Sequence, residues 1–368
     1  MNVLQVLPEL EAGGVERTTI EVSEALTRAG HGAFVVCAGG RMEPSLIQAG
    51  GQLHKLDIGS KNPFHYRKNV RNLVDIIRSE NIDIVHARSR APAWPAYAAA
   101  QKTGAHFVTT YHGIYNARSN LKRRYNSIMA KGQIIIANSE FTKSHIIREH
   151  GTAPDKIVVI PRGVDMMMFD PKKVSKADIQ KQRADWNIPQ DGYVVLLPGR
   201  LTRWKGQLVA VRALEKLEDD VHLVLLGDPQ GRSEYVSEIN GLASSLGLSD
   251  RLRIPGHSDS MPIALSAADL VISASTDPEA FGRVLAEAQA MKRPVIGTSH
   301  GGAMETVLEQ ETGLLVPPSD PVALADAVQS VRNWRSYDGE IARDRIGIHY
   351  SKAQLQEKTL AVYSQLLL

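Results

Sequence analysis

Two carboxylates stand eight residues apart in the stretch 273–302, SASTDPEAFGRVLAEAQAMKRPVIGTSHGG. Glu279 lies in a loop after an apolar strand, and Glu287 lies in a helical run that starts near Phe281. Eight residues turn a helix by about 800°, so the carboxylates are about 80° apart if the helix extends back to Glu279. A helix N-terminus offers backbone N–H groups to an anion, and the two carboxylates offer acceptors to hydroxyl groups. This combination fits a sugar joined to a phosphate, although a helix cap and a solvated helix face remain the structural alternatives.

Two cations with a similar placement occur earlier, in the segment PGRLTRWKG. Arg200 follows a predicted strand at 193–197, and Lys205 lies near the start of the next helix. Both cations therefore come from the carboxyl edge of one strand, where they can offset the charge of a diphosphate, Arg bidentately and Lys as a point charge. Ordinary surface cations are the alternative. Gly227 and Gly256 follow two further predicted strands, in loops where a flat base can lie.

The first half of the chain also carries candidate residues between a strand and a helix. Gly13 and Gly14 precede a helix that starts near Val15, and two glycines there let the backbone approach a ligand closely. They do not form the G-x-G-x-x-G fingerprint, so dinucleotide binding is only weakly supported. His112 follows the strand at 106–110 and precedes Gly113, which favours a site role over a hydrogen-bonded core histidine.

Two more strand ends carry polar residues. Asn138 follows the strand at 134–137, and the next residue, Ser139, has the residue type of a helix N-cap. Arg162 follows the strand at 157–160 within the run Pro161-Arg162-Gly163-Val164-Asp165.

Strands and helices alternate along the whole chain, which predicts parallel, doubly wound α/β sheets. The strands are predicted at 2–7, 32–38, 52–56, 83–86, 106–110, 134–137, 157–160, 193–197, 221–226, 251–254, 269–273 and 294–296. The helices are predicted near 44–49, 65–80, 91–103, 117–130, 139–150, 204–217, 232–246, 259–267 and 281–291. A polar stretch up to Asp191 separates two such series, so we expect domains at 1–165 and 166–350. The tail at 351–368 reads as an amphipathic helix that bridges the domains or packs back on the first.

Length and composition agree with two globular domains. A chain of 368 residues is too long for one core of ordinary size, and 43% hydrophobic with 23% charged residues is typical of soluble proteins. Cys37 is the single cysteine, which excludes an intrachain disulfide and a cysteine-rich zinc site and indicates a reducing compartment. We expect no signal peptide, because the start MNVLQVLPEL has no basic n-region followed by an apolar h-region. We expect no membrane span, because no apolar run approaches about 18–20 residues.

The net charge of +3 is unevenly distributed. Residues 1–165 carry 21 Lys and Arg against 14 Asp and Glu, while residues 166–368 carry 22 against 26. Part of the excess lies on the predicted helix at 117–130, where basic residues flank apolar ones at helical spacing. The basic residues are Arg118, Lys122, Arg123, Arg124 and Lys131, and the apolar ones are Leu121, Tyr125, Ile128 and Met129. Such a helix can lie on an anionic bilayer or pack on its own domain, and both interpretations stay open.

Several of these motifs occur in a fixed order along nearly the whole chain. They are Gly13-Gly14 with Glu16-Arg17, Tyr111-His112-Gly113, Pro161-x-Gly163-Val164-Asp165, Gly199-Arg200 to Lys205-Gly206, and Glu279-x7-Glu287. The ordered set resembles the retaining glycosyltransferases of family 4, the glycosyl transferases group 1. That resemblance implies a GT-B fold, with two Rossmann-like doubly wound domains that face each other across a cleft.

The resemblance also implies roles for the residues. The second half would bind a nucleotide sugar, with Arg200 and Lys205 neutralising its diphosphate, Glu287 binding the ribose hydroxyls and Glu279 contacting the transferred sugar. Backbone N–H groups of Phe281, Gly282 and Arg283 would join the phosphate site. The first half would bind the acceptor, with Gly13, Gly14 and His112 near the anomeric carbon.

Two residues depart from the family pattern. Arg162 stands where the family usually has Asn, which puts the donor or acceptor contacts there in doubt. Arg283 stands where an apolar residue is frequent and could add a phosphate contact. No Asp-x-Asp triplet is found, and the resemblance implies transfer without a metal or other cofactor.

The sequence therefore predicts a retaining, metal-independent hexosyltransferase whose donor is a UDP-, GDP- or ADP-linked sugar. The acceptor would be a saccharide or lipid-linked saccharide of the cell envelope, such as a lipopolysaccharide core. We expect a cytoplasmic protein, with the inner face of the cytoplasmic membrane as a peripheral partner. A nucleotide-sugar epimerase on the same fold and a silent sugar-nucleotide-binding protein are the alternatives. Nucleic-acid binding is disfavoured because aromatic residues make up only 5% of the chain.

Overall fold

The structure is a computed structural model that describes residues 1–11, 13–60, 63–115 and 119–368. Arg118 of the predicted basic helix lies outside the described residues. The chain divides into two compact units, which we call the first and the second unit. The first unit comprises Met1–Gly163 with Lys352–Leu368, and the second comprises Val164–Ser351. The sequence places the corresponding boundaries at 165 and 350.

The first unit is built on a seven-stranded parallel sheet with the strand order β3-β2-β1-β4-β5-β6-β7. The strands are β1 (Asn2–Val6), β2 (Gly32–Cys37), β3 (Gln52–Lys55), β4 (Ile84–Ala87), β5 (His106–Tyr111), β6 (Ile134–Ala137) and β7 (Ile157–Val159). Their helices are α1 (Gly14–Arg28), α2 (Glu43–Gln48), α3 (Pro63–Ser79), α4 (Arg90–Thr103), α5 (Asn120–Asn126) and α6 (Glu140–His150). The order changes direction at β1, as it does in doubly wound sheets.

The helix predicted at 117–130 is wrong as one continuous element. The described part consists of α5 and a separate 3-10 helix, Ser127–Ala130, and Ser119 caps α5 by accepting a hydrogen bond from the Lys122 N–H. Ile128 and Met129 are buried in the core, whereas Leu121 is 82% exposed. The apolar residues predicted to share one helix face therefore do not do so. The chain changes from an α-helix to a 3-10 helix at Ser127, so side chains before and after that residue point in different directions.

The second unit is built on a six-stranded parallel sheet with the strand order β10-β9-β8-β11-β12-β13. The strands are β8 (Tyr193–Pro198), β9 (Val221–Leu226), β10 (Leu252–Gly256), β11 (Leu270–Ile272), β12 (Val295–Thr298) and β13 (Gly313–Val316). The helices are α7 (Lys176–Asp185), α8 (Gln207–Leu214), α9 (Ser233–Ser245), α10 (Met261–Ala267), α11 (Arg283–Ala290), α12 (Ala303–Thr306), α13 (Pro321–Arg332) and α14 (Gly339–His349). The sequence reasoning missed β13 and the helices α7 and α12 to α14.

Two helix starts in the second unit differ from the prediction, and a glycine accounts for each. The helix predicted at 204–217 is a 3-10 helix, Arg203–Lys205, followed by α8, with Gly206 between them at φ 75°. The helix predicted from Phe281 starts at Arg283, after Gly282 at φ 76°. A left-handed residue interrupts the helical hydrogen-bond pattern, and glycine adopts it without steric cost.

The C-terminal helix α15 (Lys352–Gln365) packs on the first unit. Its Leu355, Val362 and Tyr363 share a hydrophobic cluster with residues of α1 on one face of the sheet. The Tyr363 hydroxyl lies 2.6 Å from Nδ1 of His86 in β4, and both side chains are buried. Of the helices in the described ranges, none has the length and apolar character needed to cross a bilayer.

Candidate functional site

The loops at the carboxyl ends of three neighbouring strands meet in the second unit. The Gly199 N–H donates to the Leu226 carbonyl at 2.8 Å, and a Cβ on Gly227 would lie 1.9 Å from the Gly199 carbonyl oxygen. A Cβ on Gly206 would lie 1.8 Å from the Ala274 carbonyl oxygen. Because these backbones touch, the loops after β8, β9 and β11 form one edge of the sheet. In parallel sheets this edge is where ligands bind.

Lys205 and Glu279 form a mostly buried ion pair at this edge. The Lys205 Nζ lies 2.8 Å from Glu279 Oε1, and the side chains are 13% and 15% exposed. The same Oε1 accepts hydrogen bonds from the hydroxyls of Ser273 at 2.9 Å and Ser275 at 2.5 Å. Burial alone would raise the pKa of Glu279, but the Lys205 charge and the three hydrogen bonds outweigh it and hold the pKa below its ordinary value. Glu279 is therefore a carboxylate with one fully occupied oxygen.

Arg200 lies at the same edge but, unlike Lys205, is exposed to solvent. Its side chain is exposed, and within the described parts of the chain it has no hydrogen-bond or ion-pair partner. Its carbonyl oxygen accepts a hydrogen bond of 3.0 Å from the Gln207 side-chain amide, which fixes the backbone of the loop. The Lys205 charge is balanced by Glu279, so Arg200 supplies the uncompensated positive charge.

Glu287 lies within α11, whereas Glu279 precedes that helix. The condition for the 80° separation, a helix that extends back to Glu279, is therefore not met, because α11 starts four residues after Glu279. Glu287 is 6% exposed, and its Oε1 accepts a hydrogen bond of 2.9 Å from Nε of Arg283, one helical turn earlier. Arg283, which departs from the family pattern, thus fixes the side chain of Glu287, the residue predicted to bind the ribose hydroxyls.

The loop that carries Glu279 rests on a pair of glycines that the sequence reasoning did not assign. The Gly302 N–H donates to the Glu279 carbonyl at 2.8 Å, and a Cβ on Gly302 would lie 2.4 Å from Cα of Phe281. The Phe281 ring is buried in the core, so only its backbone can reach a ligand. The Gly-Gly pair at 301–302 is the signal that could have indicated this close approach.

Gly256 lies at the end of β10, where it pairs with Leu226 in β9. Since Gly227 follows Leu226 directly, Gly256 stands beside the Gly227 loop. Apart from its two chain neighbours, no residue in the described part of the chain has a heavy atom within 4 Å of the position that a Cβ on Gly256 would take. This part of the edge is therefore open enough for a flat group.

In the first unit, Arg162 links the Gly13-Gly14 turn to His112. A Cβ on Gly14 would lie 1.5 Å from Nη1 of Arg162, so the guanidinium occupies the space that a side chain would need. Nη2 of Arg162 donates to the His112 carbonyl at 3.0 Å. Gly13 has a φ of 147°, and a Cβ there would lie 2.7 Å from Glu16 Oε2. The structure thus brings Gly14, His112 and Arg162 together.

His112 is neutral in this setting. Burial lowers the pKa of the imidazole well below its ordinary value, and the charges of Arg162 and Arg88 lower it further. Its Nε2 is buried and has no hydrogen-bond partner among the residues described. A neutral imidazole can accept or donate one hydrogen bond to a substrate hydroxyl.

Asn138 is 2% exposed, and only one of its two side-chain polar atoms has a hydrogen-bond partner in the described part of the chain. Its Oδ1 accepts a hydrogen bond of 2.8 Å from the Thr142 hydroxyl, whereas the buried Nδ2 has no partner in the described part of the chain. Ser139 caps α6 by accepting from the Thr142 N–H at 3.0 Å, which confirms the predicted N-cap. The cap keeps Asn138 at the start of the helix.

Arg88 is a candidate that the sequence reasoning missed. It follows β4 directly and is 2% exposed. Its Nε donates to Oε1 of Gln5 at 2.8 Å, and its Nη2 donates to the same oxygen. Burial lowers the pKa of this guanidinium, which reflects the cost of keeping a charge away from water. Its position after a strand, shared with His112, Asn138 and Arg162, was the available signal.

No group of three or more His, Cys, Asp or Glu side chains that could hold a metal ion is found within the described ranges. Metal-independent chemistry stays a prediction.

The fold and the strand-end residues define a glycosyltransferase of the GT-B class, and the comparisons agree. Residues 12–167 match the model of Glycosyltransferase Family 4, and residues 178–343 match that of Glycosyl transferases group 1. A solved glycosyltransferase from Rickettsia africae is 38% identical with a TM-score of 0.92, over 100% of this chain and 98% of that one.

Two further relatives extend the comparison. The Anabaena protein Alr3699/HepE, solved in complex with UDP, is 25% identical with a TM-score of 0.87, over 99% of this chain and 100% of its own. A D-inositol 3-phosphate glycosyltransferase of Xylanimonas cellulosilytica is 28% identical over 86% of this chain and 83% of its own length. The chain belongs to the glycosyl transferases group 1, which confirms the predicted family and fold.

Proposed function

We propose that the protein transfers a hexose from a nucleotide-diphosphate sugar to a saccharide or lipid-linked acceptor, with retention at the anomeric carbon and without a metal. The observation that carries the proposal is the Lys205–Glu279 pair, buried beside the uncompensated charge of Arg200 at one sheet edge. A cation for the diphosphate and a carboxylate for the sugar hydroxyls are the groups that such a donor requires.

The geometry supports a division of labour among these residues. The hydrogen bonds of Lys205, Ser273 and Ser275 all end on Oε1 of Glu279, which leaves Oε2 to accept from a sugar hydroxyl. Arg200 binds the diphosphate bidentately. Glu287 accepts from the ribose hydroxyls, and Arg283 fixes its direction.

In the proposed reaction, the bond between the anomeric carbon and the diphosphate oxygen breaks while the acceptor oxygen bonds the same face of that carbon. The acceptor proton goes to an oxygen of the departing diphosphate, so no protein base is needed. Negative charge grows on the diphosphate, where Arg200, Lys205 and the backbone N–H groups before α11 stabilise it. Each such fixed donor contributes about 2.7–4 kcal/mol in a dry site.

Two further features support the choice of substrates. The Anabaena relative is a complex with UDP, so a UDP-sugar is the first donor to test. The basic first half and the exposed Leu121, beside exposed basic residues of α5, favour an acceptor at an anionic membrane surface. We therefore propose an envelope saccharide, such as a lipopolysaccharide core, and peripheral action at the inner face of the cytoplasmic membrane.

A thermal-shift screen with UDP, GDP, ADP and their sugars tests the donor site. A ligand at about 100 times its dissociation constant should add roughly 2.7 kcal/mol to the free energy of unfolding. Arg200→Gln should remove most of the shift, whereas Arg335→Gln, at another exposed arginine of the second unit, should keep it. A screen without any stabilising nucleotide would refute the proposal.

The reaction itself is tested by adding a total extract of envelope glycolipids to the protein with the stabilising donor and following NDP release. Excess EDTA should leave the rate unchanged, and NMR of the product should show the anomeric configuration of the donor. Inversion, or loss of the rate in EDTA, would contradict retention or metal independence respectively.

A further inference from the structure

Polar residues at four successive strand ends of the first unit turn to the same face of its sheet. The pairs His86 and Arg88, Thr110 and His112, Ile136 and Asn138, and Ile160 and Arg162 stand at or just beyond the ends of β4, β5, β6 and β7. Residues two positions apart on a strand point to the same side. His86 contacts Tyr363 of α15, so this is the face that α1 and α15 cover.

The four strand ends enclose a small cavity. Its lining includes Arg88, His112, Asn138 and Arg162, and Thr18 of α1, Thr110 and Thr359 of α15 complete the polar part. Arg162 and His112 are half-buried, whereas the other five are buried, so the cavity is approached from the side of these two residues. Its volume of about 10 Å³ is enough for about one water molecule or one oxygen atom of a ligand.

The polar groups around this cavity are mainly hydrogen-bond donors. The guanidiniums of Arg88 and Arg162 line it. Nδ2 of Asn138 and Nε2 of His112 also belong to lining residues, and these two nitrogens have no hydrogen-bond partner within the described ranges. Among the residues that the structure describes, no carboxylate lines it. Glu21 is near enough to favour the charge on Arg88, but the hydrogen bonds of Arg88 go to the Gln5 amide oxygen. A buried cation without a carboxylate partner is costly unless an anion completes it.

We propose that Arg88, His112, Asn138 and Arg162 form an oxyanion-binding subsite, in which one oxygen of a phosphate or carboxylate group enters the cavity. This inference rests on the proposed function, in which the first unit binds the acceptor, and it states that the acceptor carries an anionic group. Arg162 binds the part of the group that stays outside the cavity. A neutral sugar leaves the Arg88 guanidinium without a hydrogen-bonded counterion, so it binds more weakly.

Binding of small anions to the full chain tests the subsite separately from catalysis. Inorganic phosphate, glucose 6-phosphate and glucuronate are titrated by calorimetry in the presence of saturating UDP, which fills the donor site. We expect at least one of them to bind, while glucose does not. Arg88→Gln and Arg162→Gln should weaken that binding at least tenfold, and Arg78→Gln, at an exposed arginine of α3, should leave it unchanged.

Gly14→Ala guards against a folding defect in the Arg88 variant. Its Cβ would lie 1.5 Å from Nη1 of Arg162, so it displaces that guanidinium without removing a charge. This variant should bind the same anion more weakly, while its thermal shift with UDP stays that of the wild type.

Three outcomes overturn the inference: none of the anions binds, which leaves an ordered water as the occupant; glucose binds as well as glucose 6-phosphate; or the Arg162 and Gly14 variants bind as the wild type does. Failure of the proposed function gives a different result, because none of the nucleotides UDP, GDP and ADP then produces a thermal shift.

Discussion

The ion pair between Lys205 and Glu279 allows the site to be tested by a double-mutant cycle. In Lys205→Ala, the Glu279 carboxylate keeps only the hydroxyls of Ser273 and Ser275 as donors, although it is 15% exposed. Removing one partner of a buried ion pair costs about 3–5 kcal/mol, because the other charge stays away from water. The free energy of unfolding of the second unit should fall by about that amount at pH 7.5.

The pH dependence of the cost follows from the pKa of Glu279. In the wild type this pKa is lowered, so the ionised carboxylate stabilises the native state above its ordinary value of 4.5, and the gain is lost as the pH falls through the native pKa. Without Lys205, burial dominates and raises the pKa of Glu279. The carboxyl group of the variant then takes up a proton at a higher pH. The difference between wild type and Lys205→Ala should shrink from pH 7.5 toward pH 4.5.

Glu279→Gln and the double variant complete the cycle. The double variant leaves neither charge buried, so its cost should be smaller than the sum of the single costs by about 1–3 kcal/mol. Tryptophan fluorescence in urea measures this, because three of the four tryptophans lie in the second unit. Additive costs within about 0.5 kcal/mol, or a cost of Lys205→Ala below about 1 kcal/mol, would refute the pairing.

The same variants separate binding from catalysis. Lys205→Ala should lower the transfer rate by about 10² or more through the lost charge stabilisation, and an unchanged rate would remove Lys205 from the mechanism. Glu279→Gln frees the ammonium group, so UDP should bind as tightly as in the wild type or more tightly while transfer falls. Weaker UDP binding by this variant would contradict the assignment of Glu279 to the sugar.

Three further predictions follow from particular contacts. Gly206→Ala should destabilise the protein by at least about 2 kcal/mol more than Gly247→Ala, because the two glycines have φ of 75° and 70° but only Gly206 faces a backbone oxygen at 1.8 Å. Denaturant midpoints that agree for the two variants would contradict this. Glu287→Gln should weaken UDP binding about tenfold or more in calorimetry, since a charged hydrogen-bond acceptor is lost, whereas Glu311→Gln at an exposed site should not. Burial and the charge of Arg88 hold the pKa of His86 well below 6.5. The imidazole therefore binds a proton near pH 6.5 in the unfolded chain but stays neutral in the native state. Stability should therefore fall by up to about 1.4 kcal/mol per pH unit below pH 6.5, and a denaturation series from pH 5 to 7 should show a smaller slope for His86→Gln.

The sequence was sufficient to predict the parallel sheets and the strand ends that carry polar residues. Strands buried on both faces read as continuous apolar runs, as in Ile134–Ala137, and the residue after such a run falls at the sheet edge. This reasoning located Arg200, His112 and Asn138 from local pattern alone. The boundaries of elements were less certain, since a helical period does not show where the first turn closes.

The pairing within the site was not predictable from local pattern. Lys205 and Glu279 are 74 residues apart, and their contact depends on the close approach of Gly206 to the Ala274 backbone. A glycine in a sequence does not show which backbone it will touch. Arg88 was missed for a related reason: a cation after a strand looks like a surface residue until tertiary packing buries it.

The two units treat their buried cations in opposite ways, and this difference has a chemical consequence. In the second unit, Lys205 has a carboxylate partner at 2.8 Å, so its position is fixed and its charge is compensated before any substrate binds. In the first unit, Arg88 has the amide oxygen of Gln5 as its hydrogen-bond partner and the Glu21 carboxylate only as a more distant charge, so in our proposal it gains a hydrogen-bonded counterion when an anion binds. A preorganised pair contributes little new attraction to a ligand but holds reacting groups in place, whereas an uncompensated charge contributes selectivity. On this argument, substitutions at Lys205 change mainly the rate of transfer, and substitutions at Arg88 change mainly which acceptor is chosen.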